Sequence, residues 1–121
     1  FMSYYEAGLY VIINALPSSY FAKDHIPNSF NLFHKDVKKM DEKELNTWFL
    51  DVVKLHYPKL LKYIESKKIN IKEIPIITYC AHSKCNASEL TLEELMKKGF
   101  VNINEYSGGI EEFRKNIPYD K

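Results

Sequence analysis

Short apolar runs rich in β-branched residues alternate along this chain with longer segments whose apolar residues recur every three or four positions. The runs at 10–13 and 76–79 predict buried strands, because a strand covered on both faces needs no alternation with polar residues. Polar and apolar residues alternate at 29–33, which predicts a short half-buried strand, and residues 100–104 are expected to form another strand.

Segments with helical periodicity separate these strands. Asp41 followed by Glu44 predicts a capping box, and the apolar residues after it repeat at helical spacing. Pro58 is expected in the first turn of the next helix. Helical character returns at Ala87, and Gly99 is the expected end of that helix. Strands separated by helices of this size predict βαβ units, and therefore an α/β fold with a parallel sheet.

Composition narrows the classes of partner. A chain of 121 residues, 45% of them hydrophobic, suits a single domain spanning 1–121. A formal charge of +1 predicts neither nucleic acid nor an anionic membrane as a partner. No apolar run approaches the length of a membrane span, and the start of the chain lacks the pattern of a signal peptide. The only two cysteines lie close together, unlike a disulfide framework, so we expect a reducing, cytoplasmic setting.

The segment from Cys80 to Asn86 follows a predicted strand at the edge where open α/β sheets bind ligands. Its backbone N–H groups and the following helix N-terminus can form a cradle that favours an anion. We therefore expect a lowered pKa for Cys80 and a solvent-accessible thiolate, with His82 and Lys84 adding positive charge. The other interpretation of Cys80 is an inert, buried residue that ends a strand.

Cys85 raises two further hypotheses. After oxidation or persulfidation of Cys80, Cys85 as a resolving thiol would form a disulfide and release sulfide. The simpler interpretation, which we prefer, is that Cys85 packs as a small residue under the loop. Cys80, His82 and Cys85 also offer three metal-binding groups, but a fourth ligand and paired spacing are absent, so no metal is expected.

Four sequence blocks match the pattern of a known domain family. The loop between the second and third blocks runs from Cys80 through Cys85. The blocks are Asp24-His25-Ile26-Pro27-Asn28-Ser29, Ile77-Thr78-Tyr79-Cys80, Lys98-Gly99-Phe100-Val101-Asn102-Ile103 and Tyr106-Ser107-Gly108-Gly109-Ile110-Glu111-Glu112-Phe113. In this order they resemble the rhodanese homology domain over a core of about 10–113. The resemblance implies a rhodanese-like α/β fold with a central parallel sheet flanked by helices on both faces.

The same resemblance implies a sulfurtransferase without a cofactor. Cys80 would accept sulfane sulfur as a persulfide from a small donor, either thiosulfate or a persulfide, and pass it to a thiol on a small molecule or a protein. The residues implied to bind substrate are Ala81, His82, Ser83, Lys84, Cys85 and Asn86. The short loop favours sulfur transfer over the phosphatase and arsenate-reductase chemistry of relatives with a longer loop.

The sequence departs from the family pattern at several positions. Cys85 stands where the family often has Arg, which predicts weak activity with thiosulfate. Residues 14–17 lack an expected Asp and Arg, so Asn14 is expected to supply only neutral hydrogen bonds. Asn28 replaces Gly but tolerates positive φ, and Phe113 replaces Trp while keeping an aromatic anchor. These losses also fit an interaction module that kept the fold and lost the activity.

Overall fold

A computed structural model describes residues 8–81, 85–106 and 108–115, apart from the side chains at 112, 114 and 115. Strands and helices alternate along most of this length. In chain order the elements are β1 (Val11–Asn14), α1 (Ser18–Lys23), β2 (Phe30–Asn31), α2 (His34–Lys39), α3 (Glu42–His56), α4 (Pro58–Glu65), a 3-10 turn (Ile71–Glu73), β3 (Ile76–Tyr79), α5 (Ala87–Lys97), β4 (Ile103–Tyr106) and α6 (Gly109–Lys115).

The four strands form one sheet in the order β2-β1-β3-β4, and every neighbouring pair is parallel. Asn14 is paired with Tyr79 across β1 and β3, and Tyr79 with Tyr106 across β3 and β4. The carboxyl ends of the strands therefore lie along one edge, and the end of β3 lies between two neighbours. The predicted α/β class and parallel sheet are confirmed.

Helices cover both faces of the sheet, as expected. On one face, α2, α3, α4 and α5 contribute buried residues to a cluster around Ile13 and Ile76. On the other face, Ile12 and Tyr79 pack against Ile110 and Phe113 from α6. This arrangement follows from the strand alternation, which sends successive apolar side chains into two separate cores. No helix among the described residues is long and apolar enough to cross a bilayer.

Local signals predicted several helix and turn positions correctly. The capping box of α3 is present, with the Glu44 N–H donating to Asp41 at 2.8 Å and the Asp41 N–H to Glu44 at 3.2 Å. Pro58 is the first residue of α4, and Gly99 follows α5 with a φ of 96°. Asn28 adopts a φ of 64°, so it takes the left-handed conformation expected at that position.

Two strand predictions need correction, and one helix was not predicted. The strand expected at 29–33 is reduced to β2, because α2 begins three residues later. The strand expected at 100–104 lies at Ile103–Tyr106, since the buried Phe100 packs against Phe49 with ring centroids 4.9 Å apart. No side chain caps the N-terminus of α2, so the usual signal for a helix start is missing there.

Tyr79, the last residue of β3, organises the buried core next to the sheet edge. Its hydroxyl accepts the Ile26 N–H at 2.9 Å and the Asn14 Nδ2–H at 3.1 Å. Ser29 Oγ lies 2.6 Å away and donates its own proton to the Ile26 carbonyl, so the Tyr79 hydroxyl donates to Ser29. Asn14 therefore supplies the neutral hydrogen bonds expected of it.

We predict that Tyr79→Phe lowers the free energy of unfolding by about 2 to 4 kcal/mol, because two buried donors lose their acceptor. Tyr63→Phe is the matched control, since Tyr63 is exposed, and it should change stability little. Urea unfolding of both variants measures the difference. Equal stability of the two variants would contradict this role for the Tyr79 hydroxyl.

The same hydroxyl should make wild-type stability depend on alkaline pH. Burial raises the pKa of Tyr79, so the folded state holds the phenol proton more tightly than the unfolded chain does. This contribution is complete below about pH 10, the ordinary tyrosine value, and is lost as the pH rises through the raised pKa. Between pH 8 and 12, the free energy of unfolding should fall less in Tyr79→Phe than in the wild type, because the variant has no phenol at this position to ionise.

Candidate active site

Cys80 directly follows β3 at the carboxyl edge of the sheet. Its carbonyl accepts the Ile110 N–H at 3.0 Å, and the Ala81 carbonyl accepts the Glu111 N–H at 3.0 Å. Both donors belong to the first turn of α6, where N–H groups have no partner within the helix. The start of α6 therefore fixes the backbone on which the Cys80 side chain is mounted.

Gly109 makes this approach of α6 possible. Its φ is 61°, and a Cβ atom added there would lie 2.1 Å from the Cys80 carbonyl oxygen. Such a distance is far inside van der Waals contact, so only glycine fits without moving backbone. The tight turn at the start of α6 therefore needs glycine because of this close approach to Cys80.

The Cys80 thiol is buried, with 2% of the residue exposed. The expectation of a solvent-accessible thiolate with a lowered pKa is therefore wrong for this conformation. The pKa of Cys80 is raised, first because burial penalises the charged form and next because of a hydrogen bond with the Cys85 thiol. The Ser88 backbone N–H lowers the pKa, but it does not outweigh the burial.

Ser88 and Glu105 belong to this site, although the sequence reasoning did not identify either residue as functional. Cys80 Sγ lies 3.6 Å from Ser88 Oγ, and the Ser88 hydroxyl donates to a Glu105 carboxylate oxygen. Thr78 Oγ1 donates to the Ser88 carbonyl at 3.1 Å and so ties the first turn of α5 to β3. The strand alternation in β3 could have pointed to Ser88, because it directs Thr78 and Cys80 to the face of the sheet that α5 covers.

The two cysteines are free thiols in contact with each other. Cys85 is partly exposed, unlike Cys80. Asn86 is the N-cap residue of α5, as expected, and its carbonyl accepts the Leu90 N–H at 3.1 Å. The Asn86 side chain does not cap the helix, so it leaves the first N–H groups of α5 available to other acceptors.

Part of the predicted loop lies outside the described residues. His82, Ser83 and Lys84 fall there, so the complete amide cradle and its positive charges stay a prediction. Because His82 lies there, the expectation that Cys80, His82 and Cys85 bind no metal also stays a prediction. Across 8–81, 85–106 and 108–115, no group of three or more metal-binding side chains occurs.

Two residues of the family blocks have structural roles. His25 Nδ1 lies 2.8 Å from the Phe21 carbonyl oxygen, and the His25 ring stacks on Phe21 at a centroid distance of 3.9 Å. His25 therefore holds neighbouring backbone and has a structural role. Phe113 is buried against the second core, so the aromatic anchor expected in α6 is present.

Comparison with known proteins identifies the class to which this fold and site belong. The family model for the rhodanese-like domain matches residues 2–116. The chain therefore belongs to the rhodanese-like domain family, which confirms the resemblance seen in the sequence blocks. A search of the curated proteins found no match at the threshold used.

Solved structures support the fold assignment. The human single-domain sulfurtransferase TSTD1 superposes with a TM-score of 0.62 at 13% identity, covering 95% of this chain and 89% of that protein. A Rhodanese_3-like domain from an Anabaena sp. protein gives a TM-score of 0.54 at 15% identity, covering 88% of this chain and 91% of the other. At these identities the similarity establishes the shared fold.

We predict that Gly109→Ala destabilises the protein more than Gly99→Ala does. Both residues have positive φ, so both variants should lose about 1 to 2 kcal/mol from backbone strain. A Cβ at Gly99 meets only the flexible ends of Glu42 and Lys72 at 3.4 Å, whereas one at Gly109 meets backbone. Urea unfolding should therefore show a further loss of about 1 to 3 kcal/mol for Gly109→Ala. Equal losses would contradict the close packing of α6 on Cys80.

Proposed function

We propose that this protein is a sulfurtransferase that carries sulfane sulfur as a persulfide on Cys80. The supporting observation is the position of Cys80, the first residue after the central strand β3 in a rhodanese-like domain. The Ser88 N–H from the first turn of α5 donates a hydrogen bond to the sulfur. This N–H and the positive end of the α5 dipole favour a negatively charged sulfur. The structural neighbour TSTD1 is itself named as a sulfurtransferase, which agrees with this proposal.

The chemistry consists of two displacements at sulfur. The Cys80 thiolate attacks the sulfane sulfur of thiosulfate or of a small persulfide, forming a new S–S bond and breaking the donor's own S–S bond. Sulfite leaves in the first case and a thiolate in the second. An acceptor thiolate then attacks the terminal sulfur of the Cys80 persulfide, takes it, and returns Cys80 to its thiolate. No external oxidant or reductant is consumed, because the donor and the acceptor balance each other.

The loop residues of this proposal are those expected from the sequence. Backbone N–H groups from Ala81 through Asn86, with Lys84 as a cation, would bind the donor and the persulfide anion. Cys85 replaces the Arg that often ends the family loop, and a lysine point charge is not an equivalent oxyanion ligand. We therefore propose a persulfide as a better donor than thiosulfate. A thiol acceptor and a reducing, cytoplasmic setting belong to the same proposal.

A second candidate function is favoured by the contact between Cys80 and Cys85. Here the Cys85 thiolate attacks the inner sulfur of the Cys80 persulfide, forming a Cys80–Cys85 disulfide and releasing hydrosulfide. A small thiol must then reduce the disulfide to restore both cysteines. This makes the protein a desulfurating thiol-redox protein, in which Cys85 acts as the resolving residue.

Cys80→Ser and Cys85→Ser distinguish the two candidates, because they make the same chemical change in one loop. Sulfide release is measured with thiosulfate or a small organic persulfide as donor and a small thiol as acceptor. We expect Cys80→Ser to fall to the uncatalysed rate with its circular dichroism unchanged, while Cys85→Ser keeps most of its turnover. Loss of turnover in Cys85→Ser, with a Cys80–Cys85 disulfide forming in the wild type, would favour the redox protein. Wild-type turnover in Cys80→Ser would refute both.

A further inference from the structure

Three side chains from three separate elements form a hydrogen-bonded chain that starts at the Cys80 sulfur. Cys80 Sγ lies 3.6 Å from Ser88 Oγ, and Ser88 Oγ is bonded to Glu105 Oε2 on β4. Cys80 is 2% exposed and Ser88 is 1% exposed, whereas Glu105 is exposed. This series of hydrogen bonds therefore connects a buried thiol, through a buried hydroxyl, to a carboxylate at the protein surface.

The direction of these hydrogen bonds is fixed by chemistry. An ionised carboxylate only accepts hydrogen bonds, so Ser88 must donate its single hydroxyl proton to Glu105. Ser88 Oγ then faces Cys80 with lone pairs, and the Cys80 thiol donates to it. Thr78 holds the Ser88 carbonyl at 3.1 Å, and Thr78 is paired with Glu105 across β3 and β4. The Ser88 side chain is thus held between its two partners.

A thiolate at Cys80 would need the opposite arrangement. It has no proton to donate, so it gains from the Ser88 hydroxyl only if that hydroxyl turns and donates to sulfur. While Glu105 binds that proton, the thiolate faces an oxygen lone pair and, behind it, a negative charge. Burial already raises the pKa of Cys80. While the Ser88 hydroxyl donates its proton to Glu105, it cannot lower that pKa by donating to sulfur.

We propose that Glu105 is a positioning residue for Cys80, because by binding the Ser88 hydroxyl proton it keeps that donor away from the thiolate and the persulfide anion. Removing the carboxylate frees the proton to turn toward sulfur, whereas a neutral amide oxygen at the same position still accepts it, though more weakly. The inference rests on the proposed function, since the charge of Cys80 matters for sulfur transfer only if Cys80 carries sulfur. No bond to carbon or sulfur changes in this step, and only the hydroxyl rotates.

Three other groups lie around Cys80, and one exposed carboxylate nearby serves as a control. The Cys85 thiol approaches from the loop, the Ser88 N–H from α5, and the first turn of α6 holds the Cys80 carbonyl through Ile110. Glu89 follows Ser88 directly on α5, and its side chain is exposed. Glu89→Gln therefore removes a nearby negative charge without breaking the described chain of hydrogen bonds.

The test measures alkylation of Cys80 by iodoacetamide from pH 6 to 10 in the full chain. Trypsin cleaves after Lys84, so Cys80 and Cys85 fall on different peptides and mass spectrometry follows each separately. The variants are Glu105→Gln, Glu105→Ala, Glu89→Gln, Ser88→Ala and the double variant Ser88→Ala with Glu105→Ala. Because iodoacetamide contains no sulfur, the result is independent of whether Cys80 carries sulfur.

We expect Glu105→Ala to alkylate about tenfold faster at neutral pH, with the pH profile moved about one unit downward. Glu105→Gln should show a smaller gain, because its amide oxygen still accepts the Ser88 proton. The gain in alkylation rate should disappear in the Ser88→Ala background, and the rate of Glu89→Gln should rise much less than that of Glu105→Ala. An unchanged or slower rate in Glu105→Ala overturns the inference. An equal gain with and without Ser88, or an equal gain in Glu89→Gln, overturns it as well, because charge alone would then explain the effect.

Discussion

The contact between the first turn of α6 and the backbone after β3 is the constraint on which the candidate site depends. Two hydrogen bonds from α6 bind the carbonyls of Cys80 and Ala81, and Gly109 lets the two backbones approach this closely. The contact joins the end of the central strand to the last described helix. Because the backbone of Cys80 is fixed in this way, the direction of its side chain is set by the strand and not by the loop.

Burial dominates the chemistry that follows from this position. The Cys80 side chain points toward α5, where the Ser88 N–H favours a thiolate while the surrounding protein disfavours any charge. The resting state is therefore a protonated thiol whose reactivity is limited by how often it ionises. In the proposed function such restraint is useful, because a buried, protonated thiol is less open to oxidation than an exposed thiolate.

Much of the fold could be predicted from local sequence. Apolar runs located the strands at 11–14 and 76–79, and Asp41, Pro58 and Gly99 marked helix ends, because caps and turns depend on neighbouring residues. The displaced β4 could not be predicted locally, since Phe100 leaves the strand to pack on Phe49. Likewise, the network of Ser88 and Glu105 unites elements distant in sequence. The raised pKa of Cys80 follows from its burial between these elements, whereas loop composition alone favoured a lowered pKa.

The mass of the Cys80 peptide after incubation of the protein with a small persulfide tests the central claim most directly. The two cysteines lie on separate tryptic peptides, so the measurement assigns any added sulfur to one of them. The account predicts a gain of one sulfur atom on the peptide that contains Cys80, lost again after addition of a thiol acceptor. An unmodified Cys80 peptide, or added sulfur on Cys85 alone, would contradict it.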